Sequence, residues 1–267
     1  MKNVWLLIVT ALCIPLVVPS AASAGPAIDR ILQRKELIVG ITGNQPPLNA
    51  TTKEGQIIGL DADLATYMAA AMGVKLSFSP MPFAELLPAL LTGKVDVVIS
   101  GMSMSPDRNL KVAFVGPYFI SGKSIVAKAE KADSLSSPAD LAAPDVKIVV
   151  LEGSTSQTLI KTVIPAAQLQ TTTDYDKALE LVIEGKVDAM VADYPFCALA
   201  VLRNPEKKLA TLDEPFTFEP LGIALPGDDP LLINWVQNYL MTLQGSDGLQ
   251  NMVERWFKDS SWLSKLP

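Results

Sequence analysis

Residues 93–108, Gly-Lys-Val-Asp-Val-Val-Ile-Ser-Gly-Met-Ser-Met-Ser-Pro-Asp-Arg, gather the groups of this chain best suited to holding an anion. Ser100 and Ser103 offer hydroxyls, Gly101 lets a ligand approach the main chain, and Arg108 supplies a guanidinium. Ser105, Pro106 and Asp107 carry the signals of a helix start: a capping hydroxyl, a proline at the first position and an acid in the first turn. Arg108 falls in that same turn, where the positive end of the helix dipole disfavours a cation. An anion arriving there would resolve the conflict; a solvated arginine is the alternative. The opening phrase recurs at Gly185-Lys186-Val187-Asp188, and this second apolar run ends on a carboxylate, Asp193. Asp193 precedes Tyr194-Pro195 and so also reads as a helix N-cap, which leaves two jobs open to it. An arginine with hydroxyls at one strand end and an acid at another are the complement of a small zwitterion.

These groups must be positioned by strands and helices. The run 95–99 is β-branched and apolar, the pattern of a strand buried on both faces. Each copy of the repeat follows a helical segment, 83–91 or 174–184, so two similar α/β lobes are expected, with ligands bound beyond the carboxyl ends of their strands. Further strands are expected at 37–41, 56–60, 74–78, 112–115, 118–127, 146–151, 169–171 and 187–192. Asp61 reads as the cap of a helix closed by Gly73, and 135–143 as a short helix. Gly153-Ser154-Thr155-Ser156 places donors at a helix start, which serves either an anion or simple capping. The breaker-rich loop 42–48 holds Thr42 and Gln45. Residues 231–256 form two helices broken at 245–248, with Trp235, Tyr239, Trp256 and Phe257 as core packing. Two crossings, near 118–123 and 214–222, would make a hinge. Lobe 1 is expected to comprise 25–119 plus 222–267, and lobe 2 residues 120–221 with the hinge strands.

Composition narrows the chemistry. The chain of 267 residues has no histidine, which removes His-based triads, His general acid–base chemistry and His-ligated metals. Of two cysteines, Cys13 lies in an N-terminal apolar run, so the mature chain keeps only Cys197, with neither a disulfide nor a thiolate metal cluster. The net charge of −6 argues against nucleic acid as a partner. No Gly-rich phosphate motif follows any strand, and no cofactor or metal is expected. Lys2, the apolar run 4–18 and Ala22-Ser23-Ala24 form a secretory signal peptide over residues 1–24.

Set side by side, these segments resemble the bacterial periplasmic solute-binding proteins of the polar amino-acid ABC-transporter class. The resemblance is carried by Leu37-Ile38-Val39-Gly40-Ile41 with its Pro46-Pro47 loop and by Gly59-Leu60-Asp61-Ala62-Asp63. Leu87 to Asp96, the run ending at Arg108, and Asp247-Gly248 leading to Trp256-Phe257 continue it. Residues 213–222 are also similar to periplasmic cyclohexadienyl dehydratases. The resemblance implies a two-lobed periplasmic-binding-protein fold, each lobe a mostly parallel sheet flanked by helices. It implies a periplasmic receptor, acting as a monomer, that closes on an amino-acid-like ligand and serves an ABC permease. Arg108 would grip the ligand carboxylate, with Ser103, Thr155 and the Ser154 main chain beside it. Asp193 would take the ammonium, aided by Ser100 and Gly101, and Phe83 would wall the side chain. Thr42 stands where many relatives carry an acid, and Gln45 where many carry an aromatic, so cationic side chains are poor candidates. A dehydratase of prephenate or arogenate is the rival, for which Glu219 is the acid to nominate.

Overall fold

The computed structural model describes residues 27–267 except 136 and 138; the signal peptide expected at 1–24 lies outside the described residues. The chain opens with helix α1 (Ala27–Arg34) and strand β1 (Glu36–Ile41). Three short strands follow, β2 (Asn44–Gln45), β3 (Asn49–Thr51) and β4 (Ile57–Ile58), then α2 (Leu60–Met72), β5 (Lys75–Pro80), α3 (Phe83–Leu91) and β6 (Val97–Val98). The short helix α4 (Pro106–Asn109) leads into β7 (Ala113–Ser121) and, after Gly122, β8 (Lys123–Lys128). Next come α5 (Ala129–Ala132), β9 (Lys147–Leu151), α6 (Thr155–Val163), β10 (Gln168–Thr172), α7 (Tyr175–Ile183), β11 (Ala189–Asp193), α8 (Tyr194–Arg203) and β12 (Leu209–Ala210). The return strand β13 (Glu219–Leu225) precedes α9 (Pro230–Gly245) and α10 (Gly248–Phe257).

Two five-stranded sheets result, ordered β5-β1-β6-β13-β7 and β10-β9-β11-β8-β12. Both are mostly parallel, with one reversed strand in each. β1 runs parallel to β5 and β6, and β9 parallel to β10 and β11, but β13 opposes β6 and β7, and β8 opposes β11 and β12. The reversed strands are β8, by which the chain enters the second sheet at 123, and β13, by which it re-enters the first at 219. A crossing segment enters its sheet from the cleft side and so runs against the strands that point towards the cleft. Val39, Val97 and Ile223 of the first sheet are fully buried against α1, α2, α9 and α10, and Val150, Ala189 and Val191 of the second are as deeply buried.

Three local expectations are corrected. Asp61 is not the cap of α2: Gly59 holds that position with φ 127°, and a Cβ there would fall 2.2 Å from the Leu48 oxygen. Asp61 instead turns inward, fully buried. Leu60 accordingly belongs to the helix, and the strand expected at 56–60 shortens to β4. The helix expected at 135–143 is replaced by 3₁₀ turns, Asp133–Leu135 and Asp140–Ala142. There the Ser137 N–H donates to Asp140 Oδ2 at 2.9 Å, so the side chain satisfies a single turn and nothing propagates it.

Candidate ligand-binding site

The site lies where the ends of the two sheets face each other. Ser105 caps α4 by accepting from the Arg108 N–H at 3.4 Å, with Pro106 in the first turn, as the sequence implies. The Arg108 side chain folds back: Nη1 donates to the Ser103 carbonyl at 2.9 Å and Nη2 to the Gly153 carbonyl of the facing lobe at 3.0 Å. Its Cζ lies 5.4 Å from the ring centre of buried Phe83, within cation–π range. Among the described residues no carboxylate comes within 4 Å of this guanidinium. Burial pulls its pKa down, against the attraction of Glu219, Asp193 and Tyr175.

From Arg108 a chain of contacts runs through the cleft. Ser103 Oγ lies 3.3 Å from Thr155 Oγ1, which donates to Glu219 Oε2 at 3.1 Å. Lys123 Nζ stands 3.9 Å from that same oxygen and donates to Asp193 Oδ1 at 2.9 Å. The other Asp193 oxygen accepts from the Tyr175 hydroxyl at 3.2 Å. Gln45 Nε2 reaches Tyr175 at 3.5 Å, and Gln45 with Ser100 and Thr42 closes the row: Thr42 N–H donates to Ser100 Oγ at 3.0 Å and Thr42 Oγ1 lies 3.2 Å from Gln45 Oε1. Asn44 Nδ2 adds a bond to Asp174 Oδ2 at 2.8 Å. Bonds from residues 42–45, 103 and 108 to residues 153–155 and 174–175 join the lobes, so the form described is closed.

The structure therefore brings Arg108, Ser103, Thr155, Phe83, Asp193, Ser100, Thr42 and Gln45 into one cluster. The Ser154 main chain, an expected donor, is committed elsewhere, and Gly101, expected to help hold an ammonium, has its N–H engaged. The Gly101 N–H donates to Asp61 Oδ2 at 2.9 Å, and its φ of 54° serves close packing, since a Cβ would fall 2.9 Å from Leu48 Cδ1. Ser154 caps α6: its Oγ accepts from Gln157 N–H and donates to the Leu151 carbonyl at 2.6 Å, and its own N–H points to that carbonyl. Asp193 sits at the N-cap of α8 but makes no side-chain cap bond, so its carboxylate is turned to Lys123 and Tyr175. Lys123 and Tyr175 escaped sequence reasoning. A usable signal was present for Lys123, a cation opening the otherwise apolar run Ile125-Val126-Ala127. Glu219, nominated only for the rival chemistry, stands in the cluster.

Trp256 and Phe257 pack as expected, Phe257 stacking on Phe119 with ring centres 4.5 Å apart. Their edges also line an apolar groove of about 610 Å³ with Phe218 and Leu202, to which none of Arg108, Lys123, Asp193 or Glu219 contributes. Among the described residues no cluster of three or more His, Cys, Asp or Glu is arranged to hold a metal ion.

Residues 37–259 match the bacterial extracellular solute-binding proteins, family 3. The chain belongs to that family. This family 3 protein is 28% identical to the ABC transporter arginine-binding protein 1 of Escherichia coli K12, over 82% of this chain and 89% of that protein. It is 25% identical to a cyclohexadienyl dehydratase of Pseudomonas aeruginosa, over 92% of each. Its fold overlays an ancestral amino-acid-binding protein, described as a precursor of cyclohexadienyl dehydratase, with a TM-score of 0.80 and 37% identity, covering 87% of this chain and all of that one.

Proposed function

We propose that this solute-binding protein is a periplasmic receptor, exported by the signal peptide at 1–24, that closes around a small amino acid or amino-acid derivative and passes it to an ABC permease as a monomer. The observation that carries this reading is Arg108. Its guanidinium is held by two main-chain carbonyls, one from each lobe, and backed by Phe83, while its charge has no carboxylate partner within 4 Å among the described residues. Such a fork suits a bidentate grip on a ligand carboxylate, and the Ser103 hydroxyl stands beside it, 3.3 Å from that of Thr155. Because these groups come from both lobes, a ligand touching all of them favours the closed state over the open one. The kinship with an arginine-binding protein of an ABC transporter agrees with that role.

A ligand that binds only the folded protein raises its melting temperature. A thermal-shift screen over amino acids and their derivatives should find at least one stabilising compound, and Arg108→Ala should abolish that shift. A shift retained in the variant would remove Arg108 from the site.

One observation favours a second reading, a dehydratase of prephenate or arogenate: Glu219 stands in the cluster, bonded by Thr155, where an acid could protonate a leaving hydroxyl. Incubation with each compound, followed by assay for phenylpyruvate and phenylalanine, is expected to show no turnover above background.

A further inference from the structure

We infer that the ligand carries no α-ammonium group: the site suits a small organic acid, a 2-oxo, 2-hydroxy or otherwise des-amino carboxylate, with Lys123 standing where an amino acid's ammonium would go. This rests on the reading above for the place of the carboxylate, on Arg108, and narrows what is attached to it.

Lys123 has the position of that ammonium. Its Nζ donates to Asp193 at 2.9 Å and faces Glu219 at 3.9 Å, and its side chain is 2% exposed. The acid that would otherwise receive a ligand cation thus has one oxygen on Lys123 and the other on Tyr175. Tyr175 is itself buried and stacked on Phe196 with ring centres 4.5 Å apart, so it holds that second oxygen from a fixed place.

The pair is also built in rather than formed on closure. Lys123 and Asp193 are direct cross-strand partners in β8 and β11 of one sheet, so separation of the lobes leaves them together. The Lys123 main chain is pinned on both sides: its N–H donates to Thr217 Oγ1 and its carbonyl accepts from the Phe216 N–H, each at 2.8 Å. An arriving ammonium aimed at Asp193 would meet a resident ammonium bonded to the same carboxylate. Steered to Glu219 instead, it would remain beside the same Nζ. Like charges in a dry cleft repel strongly, whereas a neutral carbonyl or hydroxyl at that point can accept from or donate to the groups already present. Arg108 keeps its demand for an anion, and the ammonium half of the zwitterion is what the site has replaced.

The full chain, tested by calorimetry against matched pairs, decides the matter: pyruvate and L-lactate against L-alanine, 2-oxoglutarate against L-glutamate, phenylpyruvate against L-phenylalanine. In at least one set the oxo or hydroxy acid should bind ten-fold or more tightly than its amino acid. Lys123→Met, which frees Asp193 to meet a ligand cation, should reduce or reverse that preference by ten-fold or more. An amino acid that binds the unaltered protein as tightly as its des-amino counterpart overturns this inference and leaves the receptor reading standing. Binding of neither member of any set overturns both. The ranking in the unaltered protein decides even if Lys123→Met does not fold.

Discussion

Asp61 shows how far a residue's surroundings can reverse a reading based on its type. Before a helical pattern, Asp is a capping residue by default, yet this carboxylate accepts from Tyr118 Oη, Asn49 Nδ2 and the Gly101 N–H while fully buried. Burial raises its pKa from 3.8 to about 7, against the three donors, which lower it. A raised carboxyl pKa means that between about pH 4 and 7 the folded protein keeps a proton that the unfolded chain has lost. The stability from this group is therefore full below pH 4 and lost as pH rises through 7. In urea unfolding at pH 4.5 and 7.5, the protein should lose on the order of 2–4 kcal/mol more over that interval than Asp61→Asn does. Equal slopes would show that Asp61 is ionised throughout. What could be foreseen among the site residues follows the same logic. Arg108 was legible because helix-start chemistry fixes where it lies, whereas the roles of Ser103 and Phe83 came with the family resemblance. Lys123 and Tyr175 were not legible: a buried lysine makes sense only once its strand is set opposite the one ending in Asp193, and that pairing spans 70 residues.

At the scale of elements, the repeated Gly-Lys-Val-Asp phrase was visible in sequence, but its purpose is structural. In both copies the glycine adopts φ 70° as the preceding helix ends, and the aspartate then clamps a neighbouring strand. Asp96 donates its N–H to the Ile38 carbonyl and accepts the Ile38 N–H on Oδ2; Asp188 does both with Lys147. The two clamps are built from the same bonds but differ in surroundings. The Asp96 side chain is 1% exposed and paired with Arg34, whereas Asp188 is 19% exposed and its partner Lys131 is 51% exposed. Removing Asp96 leaves the partly buried Ile38 N–H without its acceptor and Arg34 with Glu36 as its remaining acid, so Asp96→Ala should cost about 2–3 kcal/mol of unfolding free energy. Asp188→Ala, where water can replace the lost partner, should cost about 1 kcal/mol. Equal losses in chemical denaturation would count against the clamp. The strand expected over 95–99 contracts to β6 for the same reason: Asp96 spends its bonds on Ile38 as a clamp, and only two residues remain in the ladder. Where propensity alone decided, as in α9 and α10, expectation and structure agree to within a residue or two.

For the molecule as a whole, function depends on the two passages between sheets, and these touch at Gly122. That residue links β7 to β8, its carbonyl accepts from the Tyr194 N–H at 2.8 Å, and the returning passage crosses directly over it. A Cβ on Gly122 would fall 2.2 Å from the Thr217 oxygen and 2.6 Å from Pro215 Cβ, and the nearer contact is main chain, which cannot rotate away. Two expected crossings were legible from the prolines and glycines at 116–122 and 215–222, but their contact was not, because nothing in either segment names the other. Gly122→Ala must push the passages apart or distort them, at a cost of about 1–3 kcal/mol for overpacking. That cost falls on the geometry in which the lobes meet, since each sheet keeps its own ladder. Bonds across the cleft such as Ser103 to Thr155 and Asn44 to Asp174 would then form less readily. A penalty of about 1.4 kcal/mol on closure alone weakens binding ten-fold, because only the closed state holds the ligand from both sides. The expected result is a variant with ligand affinity reduced ten-fold or more and a larger radius of gyration in solution scattering with ligand present. Unchanged affinity and unchanged scattering would mean that the contact at Gly122 does not govern closure.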